Sequence, residues 1–149
     1  MKFEEYNANP KGWKHEGDCV IRAIARATKE EWTTVYDDLC NIGRKKCRMP
    51  NSKKVIEEYL KVIGFTKCKM PRKSNNNRYT IREWIEEHPR FTGIISVAKH
   101  LTYVEEGTLI DTWDCSKKYI SNYWEDYTDY YKTKEKKIET RTKKRVRLF

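Results

Sequence analysis

The stretch Gly17-Asp18-Cys19-Val20-Ile21-Arg22-Ala23-Ile24-Ala25 sets a cysteine where a polar loop gives way to an apolar, alanine-rich helix. Asp18 is suited to cap that helix, and the spacing of Ile21, Ile24 and Ala25 carries it to about Ala27. A thiol at such a start faces unpaired backbone N–H groups and the positive end of the helix dipole. Both favour thiolate, which is the nucleophilic form. Position alone can therefore make Cys19 reactive.

Downstream, Thr28-Lys29-Glu30-Glu31 reads as a capping box for a second helix. That helix presents Trp32, Val35, Tyr36 and Leu39 at helical spacing and is expected to end near Gly43. A third helix starts at Ser52, buries Val55, Ile56, Tyr59, Leu60 and Ile63, and stops at Gly64. Residues 70–77 form a polar loop. Thr80-Ile81-Arg82-Glu83 is a second capping box, opening a short helix that Pro89 closes. Beyond it the hydrophobic period changes from helix to strand. Residues 91–98, 100–104 and 108–111 read as strands, with Glu105-Glu106-Gly107 as a hairpin turn and 119–124 as a further strand. The first eighteen residues read as loop, punctuated by Asn-Ala-Asn-Pro-Lys-Gly at 7–12. Helices first and strands after give an α+β class, with N-terminal helices packed on a C-terminal antiparallel sheet.

Composition narrows the function classes. Charged residues make up 36% of the 149, yet five Trp and ten Tyr supply enough large rings for a packed core. No apolar run approaches the roughly 20 residues of a membrane span, and Met1-Lys2-Phe3-Glu4-Glu5 does not lead into the apolar core of a signal peptide. Five cysteines, an odd number without a secretion signal, are expected to be reduced thiols in a cytoplasmic compartment. The net charge of +10 is uneven: residues 132–149 hold nine Lys or Arg and two Glu, a net +7, against +3 for the rest. The expected organisation is one domain over 1–131 followed by a basic tail that could attract nucleic acid or an acidic surface. Cys40 and Cys47 have no partner at metal-ligand spacing, so neither a metal nor a cofactor is expected.

A partner for Cys19 appears late in the chain, in Lys99-His100-Leu101-Thr102-Tyr103-Val104 followed by Asp111-Thr112-Trp113-Asp114. Cysteine, histidine and acid in this order suit nucleophilic catalysis: sulfur attacks an acyl carbon, the imidazole takes and returns the proton, and a carboxylate orients the ring. Turn type decides which acid serves. A two-residue loop at Glu105–Glu106 pairs His100 with Asp111, whereas a turn with Gly107 left-handed pairs His100 with Thr112 and leaves Asp114 just beyond it. The glycine favours the second register and thus Asp114. His15 lies in a loop, and His88 is accounted for by its place at a helix end.

Gly17-Asp18-Cys19 opening a helix, His100 opening a strand and Asp114 on the next resemble the papain-like cysteine peptidase superfamily over roughly residues 7–124. Within it the chain looks most like small C39-like peptidase proteins of bacteriophages and other mobile elements. The resemblance implies a papain-like fold with the cysteine at the start of the central helix. It further implies Cys19 as nucleophile, His100 as general base and acid, and Asp114 as the orienting acid, with Asp111 the alternate; the 14-residue offset from His100 to Asp114 suits the family better than the 11 to Asp111. The expected activity is thiol hydrolysis of a peptide, isopeptide or glutamine-type amide in a (host) cytoplasm. No Gln occurs in the chain and Trp13 stands about where such enzymes carry the oxyanion-hole glutamine, so a second donor beside the Cys19 N–H is sought in Asn7, Asn9 or Lys14. The competing expectation is a non-catalytic binding protein on the same fold, docking through the basic tail.

Overall fold

A computed structural model describes residues 1–126; the expected tail at 132–149 lies outside the described residues. Six strands and four helices follow one another as β1 (Lys2–Glu5), α1 (Cys19–Thr28), α2 (Trp32–Lys46), α3 (Lys53–Val62), β2 (Phe65–Cys68), α4 (Ile81–Glu87), β3 (Gly93–Val97), β4 (His100–Glu105), β5 (Thr108–Asp111) and β6 (Asn122–Asp126). The class is α+β. The sheet is mixed rather than antiparallel, in the order β1-β5-β4-β3-β6-β2, because β1 runs parallel to β5. Neither β1 nor β2 belongs to the C-terminal half, so the expectation of a purely C-terminal sheet is corrected. All four residues of β1 are exposed, which is why Lys2-Phe3-Glu4-Glu5 shows no alternation and reads as loop.

Strand alternation gives the sheet two apolar faces. One packs Ile94, Leu101, Tyr103, Ile110 and Trp124 against α1, α2 and α3 through Ile24, Leu39, Leu60 and their neighbours. The other packs Ile95, Val97, Val104 and Leu109 against α4 and the segment after β5, through Ile81, Ile85, Cys115 and Ile120. Burying side chains of this size contributes on the order of 1.5–3 kcal/mol each before the entropy of ordering them.

The helix ends test the capping expectations. Thr80 and Glu83 form the expected box on α4. Thr28-Lys29-Glu30-Glu31 does not cap α2: the Thr28 hydroxyl turns back to the Ile24 carbonyl (2.7 Å), Lys29 adopts φ 56°, and Glu31 becomes the residue before the helix. α2 passes through Gly43, where a Cβ would meet the Arg48 carbonyl at 2.7 Å, and ends at Lys46 with Cys47 left-handed. Gly43 thus serves close packing rather than termination.

Two hairpins present the site. β3 and β4 are joined across Val97 and His100, and β4 and β5 across Glu105 and Thr108. Glu106 (φ 46°) and Gly107 (φ 76°) are both left-handed, the requirement of a two-residue type I′ turn. Neither anticipated register occurs. Val104 pairs with Leu109 and Tyr103 with Ile110, and the next pair sets Thr102 opposite Asp111.

Candidate active site

α1 delivers Cys19 at its first residue, β4 delivers His100 at its first, and β5 delivers Asp111 at its last. These ends converge. His100 Nε2 donates to Asp111 Oδ2 at 2.7 Å, and the ring stands near enough to the Cys19 thiol to lower it. With Nε2 committed to the carboxylate, Nδ1 is the nitrogen left to exchange a proton with sulfur.

Asp111 is held on both oxygens. Oδ2 accepts from Thr102 Oγ1 (2.6 Å) as well as His100, and Oδ1 accepts the Thr112 N–H (2.6 Å). Arg22 Nη2 stands 3.9 Å from Oδ1. Burial would raise this acid, but the His100 and Thr102 hydrogen bonds, the charge on His100 and the Thr112 N–H hold it below its ordinary value. Burial also pulls the imidazole down. Hydrogen bonds to Asp111, Cys115 and Cys19, with the Asp111 charge, outweigh it and push His100 up to about 11. For Cys19 burial again favours the neutral form. The His100 hydrogen bond, the Leu101 backbone N–H and the positive charges of His100 and Arg22 win and lower the thiol. Each of the three shifts favours the charged form of its group: thiolate, imidazolium, carboxylate.

Asp114, the acid favoured by sequence, is not the partner of His100. It is exposed, its Oδ1 accepts the Ser116 N–H (2.9 Å), and its Oδ2 lies 3.9 Å from Arg82. The observed register shifts the second strand past both anticipated pairings and sends Asp114 into the following turn.

The three oxyanion-hole candidates are occupied elsewhere. Asn9 Nδ2 donates to Asp18 Oδ2 (3.1 Å), Asn7 Nδ2 to the Trp13 carbonyl (3.2 Å), and Lys14 reaches exposed Glu5 at 3.9 Å. Asp18, expected as a cap, makes no side-chain bond to the backbone N–H groups of the helix. Its buried carboxylate instead collects Arg22 Nη1, Asn9 Nδ2 and Trp32 Nε1 (2.9 Å), anchoring α1 to α2 and to the N-terminal segment. The first-turn N–H groups of α1, beginning with that of Cys19, thereby keep their donors free of the Asp18 side chain.

Sequence reasoning missed Thr102, Arg22 and Cys115. Thr102 stands two residues from His100 on one strand and so shares its face, a period-2 signal that was legible. Arg22 and Cys115 left no comparable mark, since both depend on how α1 and the segment after β5 dock. Among the described residues, His100, Asp111 and Cys115 place possible metal-ligating atoms within 4.8 Å of one another. Nε2 and Oδ2, at 2.7 Å, are hydrogen-bonded to each other, so an ion would have to displace the proton between them.

The surroundings are narrow at the thiol and open beside it. A cavity of about 10 Å³ touches Cys19, Arg22, Thr102 and Asp111, and a groove of about 790 Å³ adjoins it across Tyr6 and Arg26. Trp113, 43% exposed, sets its ring 5.1 Å from that of His100. No helix of the described residues is long and apolar enough to cross a membrane. Comparison with known protein families, curated proteins and solved structures returned no match.

Proposed function

We propose that the chain is a papain-like thiol hydrolase acting on a peptide, isopeptide or glutamine-type amide, with Cys19, His100 and Asp111 as its triad. The observation that carries this reading is one imidazole hydrogen-bonded to a buried carboxylate and set beside a helix-start thiol that it lowers. The Cys19 thiolate attacks the acyl carbon, forming a C–S bond and an oxyanion that the free Cys19 N–H can meet. The imidazolium gives its proton to the departing nitrogen, the C–N bond breaks, and an acyl-thioester remains. Loss of the thiolate removes one of the groups that held the proton on His100. The now neutral ring can then take a proton from water, whose oxygen attacks the thioester; the C–S bond breaks, releasing the acid and restoring thiolate and imidazolium.

The test is acyl transfer from p-nitrophenyl acetate with intact-mass and peptide mapping, alongside iodoacetamide labelling at mildly acidic pH. A burst of p-nitrophenolate with acetyl on Cys19, and fast labelling there that His100→Ala slows, is the expected result. Uniformly sluggish labelling of all five cysteines with no acetyl adduct overturns it.

A further inference from the structure

Cys115 stands apart from the chemistry above, yet it is 1% exposed and its Sγ lies 3.7 Å from Asp111 Oδ2. The same sulfur, a His100 ring nitrogen and an Asp111 oxygen all lie within 4.8 Å of one another. A buried cysteine in an apolar cluster is ordinarily a small hydrophobe, and Cys115 does belong to such a cluster with Leu109 and Ile120. Packing alone does not require its sulfur to meet both the acid and the base of one triad. The S–H can donate to Oδ2, and with the ring nitrogen no more than 4.8 Å away one side chain stands beside both ends of the 2.7 Å hydrogen bond.

We propose that Cys115 is a positioning residue that holds His100 and Asp111 in register. The inference rests on the hydrolase reading, since it gives Cys115 a role only through those two groups. Asp111 Oδ2 already has two strong donors, Thr102 Oγ1 and His100 Nε2. Cys115 adds a third, soft donor to that oxygen from the segment after β5. Set beside the ring, the sulfur adds to the pull of Asp111 on the His100 proton. The charged and titratable groups facing the ring are Cys19 and, through the thiol and Asp111, Arg22 from α1, Asp111 from β5, and Cys115 itself.

The experiment compares full-length wild type with Cys115→Val, Cys115→Ala and Cys115→Ser. Cys19 alkylation is followed across pH, and melting temperature serves as the control for folding. Valine fills the space without a polar atom, alanine guards against overpacking, and serine returns a donor with a shorter reach. In the folded apolar variants the acid limb of alkylation should move to higher pH. Labelling at mildly acidic pH should slow by about threefold, the size of one weak hydrogen bond, with serine recovering part of it. A lowered melting temperature with an alkylation profile superimposable on wild type overturns the inference and leaves Cys115 as packing. A wild-type profile without an acid-shifted limb defeats the hydrolase reading instead, so the two failures are distinguishable.

Discussion

His100 Nε2 meets Asp111 Oδ2 at 2.7 Å across a diagonal of the hairpin, not across a directly opposed pair. Continuing the register of Tyr103 with Ile110 sets Thr102 opposite Asp111, and its hydroxyl takes the same oxygen at 2.6 Å, while the Trp113 ring lies 5.1 Å from that of His100. Diagonal neighbours on one face lie within reach of long side chains. The type I′ turn at Glu106–Gly107 thus selects the acid, and a slip of one residue would turn Asp111 to the other face of the sheet.

Replacing each acid separately should therefore give unequal results. Asp111→Ala is expected to slow Cys19 acylation by about 10²–10⁴-fold, the range for a general acid–base system that loses its orientation. Asp114→Ala should stay within about twofold, as an exposed group whose removal leaves the ring's hydrogen bonds intact. Burst kinetics with p-nitrophenyl acetate decides, and equal losses would refute the assignment.

Gly107→Ala should destabilise the fold by more than about 1 kcal/mol, because φ 76° is unfavourable to a Cβ that would also meet the Pro89 carbonyl at 2.2 Å. Urea unfolding measures this. Cys19 labelling in the folded variant should slow as well, since the turn sets the strand that holds Asp111.

The pH dependence has a definite sign. A lowered Cys19 keeps thiolate present below the ordinary thiol value, so alkylation should persist into mildly acidic solution and fall only as the pair protonates. Asp111 is depressed, so its stabilising contribution is present above the ordinary carboxylate range and lost as pH falls through the folded value. His100 is raised to about 11, so its contribution is full below its ordinary 6.5 and lost as pH rises toward 11. Urea midpoints recorded across this range should decline at both ends, and His100→Asn should flatten the alkaline decline.

Arg22→Met should cost about 3–5 kcal/mol, the penalty for leaving a buried ion without its partner, here Asp18. It should also raise the Cys19 midpoint, because the Arg22 charge helps to lower that thiol. Arg22→Lys should recover part of both effects. Denaturation and alkylation together separate this from a purely structural loss, which would leave the midpoint unmoved.

The ends of α1 and β4 were legible because Gly17-Asp18-Cys19 and the change of period after Pro89 are local signals. The acid was not, since its choice depends on Glu106 entering a left-handed conformation that few non-glycine residues adopt. Strand β1 was missed for a related reason. Its exposed residues carry no alternation, and it is specified by its pairing with Thr108–Asp111 at the far end of the chain. Asp18 looked like a cap because its type and place fit one. The structure spends that carboxylate on Arg22, Asn9 and Trp32 instead, partners that only the docking of α1 brings near.

The separation of α1 from β4 in the chain has a consequence for synthesis. The helix bearing Cys19 leaves the ribosome some eighty residues before the ring that lowers its thiol, and the strand carrying Asp111 follows later still. Until both strands dock, Cys19 lacks the contacts with His100 and the Leu101 N–H that favour its thiolate. A nascent chain therefore lacks the surroundings that lower this thiol, and they arrive only with completion of the sheet.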